Sequence, residues 1–139
     1  MYHPWRQFRQ QARWTLTQAD LPPRVHGLTD FLHREVILDR RLRQVERRCT
    51  ITHELIHIER GPVPDDPRLA AREESIVERE VARRLIEIKP LGEALAWSHH
   101  VSEAADALWV TEHVLQIRLE YLHPAERAYL RQRLAFRQD

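Results

Sequence analysis

The chain has 139 residues, a formal net charge of +1 and one cysteine, Cys49. That length suits one domain with a genuine core, the near-zero charge gives no field for nucleic acid or an acidic membrane, and a lone cysteine excludes an internal disulfide. No apolar run is long enough to cross a bilayer and residues 1–6 lack the apolar stretch of a secretory leader, so a cytoplasmic setting is expected.

Pro4 opens a short helix over residues 4–12. Residues 13–18 alternate polar and apolar and predict a strand, and Pro22-Pro23 breaks the chain after it. Residues 26–32 and 35–39 predict two more strands, with Val36-Ile37-Leu38 the most strand-like triplet. From Leu42 to Arg60 the pattern is helical; Gly61 to Pro67 is a loop by composition. Residues 68–88 form a second, strongly charged helix that ends before Pro90. Residues 91–98, 102–108, 111–121 and 124–137 predict four shorter helices, with Ser102 and Thr111 as caps and Pro124 as a first helical residue. The expected class is α+β: a small antiparallel sheet packed on helices, with a core over residues 1–90 and a helical region over 91–139 packed on it as one compact domain.

The first long helix carries His53-Glu54-Leu55-Ile56-His57, an HExxH pentad. Residues four apart share a helix face, so both imidazoles can hold one Zn²⁺, and Glu54 can act as general base on a water beside it. On the helical wheel Ile51, Leu55 and Ile58 make one apolar strip and Val45, Cys49, Thr52 and Ile56 a second. His53, Glu54 and His57 lie in a narrow sector flanked by apolar residues. Ionisable groups in such a setting must be paired or metal-bound. Cys49, one turn earlier, reads as a small core residue rather than a thiolate ligand.

Catalytic zinc takes three protein ligands and keeps one position open. On the second helix Glu74 falls in the stripe of Ala71, Val77, Val81, Leu85 and Ile88, with Glu78 beside it, whereas Glu73, Glu80 and Glu87 face away. Glu74 is the expected third ligand. Glu78 is expected behind it, accepting the far N–H of a ligand histidine, although the two roles can be exchanged. An extended HExxHxxGxxH site is excluded by Arg60 and Val63, while Asp65 or Asp66 remains an alternative ligand. His99, His100 and Tyr121 are candidates to stabilise a developing oxyanion; the two histidines read more simply as residues at a helix end.

The run from Glu46 to His57 resembles the active-site helix of the ImmA/IrrE family of metallo-endopeptidases, in which a basic run and a threonine precede HELxH. Glu74-Ser75-Ile76-Val77-Glu78, continuing to Val81-Ala82-Arg83-Arg84-Leu85-Ile86, is similar to that family's second motif, an E-x-E-A-N run followed by F-A-A-x-L-L. Glu74 matches the ligand glutamate, while Ile76, Val77 and Glu78 depart from the pattern. The resemblance implies a zinc endopeptidase whose partner is a protein substrate: a helix-turn-helix transcriptional repressor of phage, mobile-element or stress genes.

Residues 101–119 resemble a helix-turn-helix, but Trp109 stands where glycine is usual and Arg118 where an apolar residue is usual. Glu112, His113, Gln116 and Glu120 make the exposed side of its second helix non-basic, so nucleic-acid binding is not expected. The alternative function is a zinc-containing regulator that binds a repressor, or DNA through these helices, without cutting. Trp5, Trp14, Trp97 and Trp109 are expected in the core or at interfaces.

Overall fold

The structure, a computed structural model, describes residues 1–135. Residues 136 and 137, the expected end of the last helix, lie outside the described residues. The order is α1 (Pro4–Arg9), β1 (Thr15–Ala19), β2 (Gly27–Asp30), β3 (Glu35–Asp39), α2 (Gln44–Arg60), α3 (Pro67–Leu85), α4 (Ile88–Trp97), α5 (Val101–Leu108), α6 (Glu112–Glu120) and α7 (Pro124–Leu134). The class is α+β. No helix is long and apolar enough to cross a membrane among the described residues.

The sheet is mixed rather than antiparallel. Its order is β1-β3-β2, with β1 parallel and β2 antiparallel to β3. Val36 and Leu38 are fully buried, and the strand that carries them gains most from neighbours on both sides, so β3 takes the centre. Residues 20–26 are long enough to pass the end of β3 and leave β1 on its far side. That leaves β2 as an edge. Asp39 N–H donates to His26 O at 2.8 Å, and Gly27 is paired with Leu38. Antiparallel alternation therefore turns the backbone N–H and C=O of Gly27 and Thr29 outward, away from β3.

α2 is the central element because it has two apolar strips. Ile51, Leu55 and Ile58 join Phe8, Val36, Leu38, Leu42, Trp14 and Leu16 in a core between α1, the sheet and α2. Cys49 and Ile56 join Val77, Val81, Leu85, Leu91, Val110, Leu115 and Leu130 in a second core among the helices. Asp66 caps α3, accepting from Arg68 N and Leu69 N, and is not in the group that His53, His57 and Glu74 form. The expected 68–88 helix is two. α3 stops at Leu85, Ile86 adopts an extended conformation, and α4 restarts at Ile88 with Pro90 in its first turn, where a proline N–H is not needed.

Thr111 caps α6 by accepting from Val114 N, as expected, while α5 begins one position before Ser102, with His100 at the cap. Arg118 explains its own odd place in the helix-turn-helix pattern. It is 3 % exposed, donates Nε–H to Ile86 O at 2.8 Å, and pairs both terminal nitrogens with Glu126 at 3.0 and 2.5 Å. The carbonyl freed where α3 breaks is thus satisfied by a residue of α6. Glu126 also accepts from Arg83 at 3.0 Å and from His123 N at 3.0 Å, the latter half of a capping box on α7. Of the tryptophans, Trp14 packs in a core, edge-on to Phe31, whereas Trp97 and Trp109 are both 62 % exposed.

Candidate metal centre

Two facing helices build the site. α2 places His53, Glu54 and His57 in the sector between its two apolar strips, and α3 places Glu74 opposite. His53 Nε2 lies 3.2 Å from Glu74 Oε2 and His57 Nε2 lies 3.0 Å from Glu74 Oε1. The imidazoles are edge-to-face, with centroids 4.7 Å apart. One ligand atom from each of the three residues falls within 4.8 Å of the other two. A tetrahedral ion with bonds of about 2.0–2.1 Å needs ligand atoms roughly 3.3 Å apart. His53, His57 and Glu74 therefore form a group able to hold a metal ion.

The electrostatics agree with a site for positive charge. Burial pushes the His53 pKa down, but hydrogen bonds to Glu54 and Glu74 outweigh it and raise it to about 9. The hydrogen bond from His53 holds the Glu74 carboxyl below its ordinary range, against the opposing effect of burial, and the charge of His57 adds to the lowering. His57 Nδ1 is buried and has no hydrogen-bond partner among the described residues. Glu78, expected to accept that N–H, instead faces α6, with Oε1 3.8 Å from His113 Nε2.

Glu54 is 4 % exposed. Its Oε1 lies 3.2 Å from His53 Nδ1, and its Oε2 accepts a short hydrogen bond from Thr29 Oγ1 of the edge strand. Gly27 makes that approach possible: a Cβ there would lie 2.7 Å from Thr50 Cγ2 and 3.2 Å from Glu54 Oε1. The carboxylate therefore sits beside the outward-facing backbone of β2. A cavity of about 1160 Å³ opens from this point. The end of the β1–β2 loop with Gly27, α2 from its start to Glu54, and residues of α3, α5 and α6 line it, with Cys49, Val81 and Val114 among its apolar lining; His57 and Glu74 do not line it.

His53 and Glu54 line that cavity, and so does Glu78. His99 and His100 lie between α4 and α5, and Tyr121 at the end of α6 lies under the Arg79 guanidinium, 4.4 Å from its ring centre; none of the three lines it. His26 and His113 do. Neither stands out in the sequence, because His26 reads as the first residue of a strand and His113 sits on a face read as solvated.

No family model, no curated protein and no solved structure matches the chain.

Proposed function

We propose that the chain is a zinc-dependent endopeptidase of the ImmA/IrrE kind. The observation that carries this reading is the convergence of His53, His57 and Glu74 on one point with the buried carboxylate of Glu54 beside it. His53 and His57 would bind through Nε2 and Glu74 through its carboxylate. Zn²⁺ held there would polarise a peptide carbonyl and bring the pKa of water to about 7.

The rest of the chemistry belongs to side chains and backbone. A Glu54 carboxylate oxygen takes the proton of the attacking water and passes it to the leaving amine. Thr29 holds the other oxygen, which limits the carboxylate's freedom. The outward N–H and C=O groups of Gly27 and Thr29 offer an extended peptide a strand to pair with, directly alongside Glu54. Such pairing recognises backbone, so an unfolded or flexible segment is the natural substrate. The motif resemblance makes a cytoplasmic helix-turn-helix repressor the partner of choice. DNA is disfavoured, because the first turn of α6 faces the cavity rather than presenting a basic surface.

The test is a cleavage assay on a repressor encoded beside this chain, with metal content measured in parallel. Glu54→Gln should lose about 10²–10⁴-fold in kcat while keeping its zinc. Full proteolysis by Glu54→Gln would remove the general-base role. A wild type that binds the repressor without cutting it would favour the non-catalytic regulator.

A further inference from the structure

A second polar pair lines the cavity that His53 and Glu54 also line. Glu78 follows Glu74 by one turn of α3, so the two side chains leave one face about 6 Å apart. His113 is the second residue of α6, and its Nε2 stands 3.8 Å from Glu78 Oε1. His53, Glu54, Glu78 and His113 all line the one cavity. The backbone that carries His113 is fixed, because Thr111 caps the helix and Val114 and Ile117 are buried beneath it. Its imidazole, 68 % exposed, reaches into the open space.

A peptide that enters this cavity alongside Glu54 is flanked by residues of α5 and α6 as well. When its carbonyl oxygen gains charge, a donor among those residues stabilises it. Glu54 is an acceptor, and the Nε2 atoms of His53 and His57 are directed at Glu74. On the α6 wall Asp106 and Glu112 can only accept. Of the other charged or titratable donors that line the cavity, Arg24 and His26 come from the loop before β2 and Arg43 from the start of α2; His113 is the one on α6, and it has a carboxylate beside it. An imidazole always carries at least one N–H donor. The 3.8 Å between Nε2 and Glu78 Oε1 is an ion-pair distance, close enough for the carboxylate to bias the ring's orientation.

The geometry points to His113 as the catalytic residue that donates to the substrate carbonyl oxygen as the tetrahedral intermediate forms, with Glu78 as its positioning residue. This assignment rests on the peptidase reading. It also gives Glu78 a role different from holding a ligand histidine.

The experiment uses zinc-loaded full-length protein and two probes: casein for turnover, and the tetrahedral phosphoramidate N-phosphoryl-Leu-Trp for binding by calorimetry. His113→Ala should lose about 100-fold in kcat with little change in KM, and lose affinity for the phosphoramidate by a similar factor. His113→Gln, which keeps one N–H, should fall between it and the wild type. Glu78→Gln should lose roughly tenfold in both readouts. Zinc content and Tm should stay at wild-type values in all three. Wild-type kcat and phosphoramidate affinity in His113→Ala would overturn the assignment. So would losses that track a fall in Tm or zinc content, which would make the pair a clasp between α3 and α6. A wild type that neither cuts casein nor binds the phosphoramidate would remove the peptidase reading itself and this assignment with it.

Discussion

Two of the places where the described residues bury charge are built on opposite principles. Around Arg118 the network is saturated: the guanidinium meets Ile86 O and both oxygens of Glu126, and Glu126 also serves Arg83 and the start of α7. Around His53 the network is convergent and incomplete. Two imidazole nitrogens aim at one carboxylate, a second carboxylate crowds the same ring, and His57 Nδ1 has no partner. A saturated knot has nothing left to bind and locks α6 and α7 to the α3–α4 break. A convergent cluster of ligand atoms is a group that could hold a cation the polypeptide does not supply. Buried charge alone therefore does not mark a site; the direction of the donors does.

Mutation should separate the two regions. The largest stability change is expected for Glu126→Ala, which leaves a buried guanidinium unpaired and should destabilise by about 3–5 kcal/mol in denaturant unfolding. Its zinc content should be that of the wild type. The same carboxylate makes acid stability diagnostic. The hydrogen bond from Arg118 dominates and holds the Glu126 carboxyl well below its ordinary range. Its contribution is therefore full above the unfolded glutamate value of about 4.3 and is lost as the pH falls toward the depressed folded value. Wild type and Glu126→Ala should thus draw closer in stability below about pH 4.

A mid-sized effect belongs to the metal side. Gly27→Ala should destabilise by about 1–3 kcal/mol, since its Cβ would lie 2.7 Å from Thr50 Cγ2, which must shift. It should also lower turnover, because the same methyl crowds Oε1 of Glu54, the proposed base, at 3.2 Å. Thermal unfolding beside the cleavage assay reads both. The smallest change is expected at Trp109, whose φ of 57° puts a bulky side chain in the left-handed region, with its carbonyl held by Arg48 Nη1 at 2.7 Å. Trp109→Gly should raise stability by about 1 kcal/mol, because glycine adopts that backbone without penalty. A fall in Tm would show that the indole itself matters to the fold.

Much of this was legible in the residues. The two apolar strips of the 44–60 helix appear as its two cores, and the stripe on the next helix brought Glu74 to the histidines, because helical periodicity alone decides which side chains share a face. Strand order was not legible. Alternation says which face of β1 is buried but not which neighbour it takes, and the parallel pairing depends on a loop crossing the sheet's end. Glu78 and Arg118 mark the same limit. The wheel places Glu78 near the core but cannot tell a carboxylate behind His57 from one facing His113. The helix-turn-helix pattern reads Arg118 as a misfit because Glu126, its partner, comes from the next helix. Pairings across elements need the fold.

The central claim is that His53, His57 and Glu74 hold one zinc ion. The most direct test is the zinc content of purified wild type and Glu74→Ala after dialysis against limiting chelator, read by mass spectrometry with Glu126→Ala as the control. The account predicts one zinc per chain in wild type and Glu126→Ala, and little or none in Glu74→Ala. A wild type without stoichiometric zinc, or a Glu74→Ala protein that keeps it, would contradict the account.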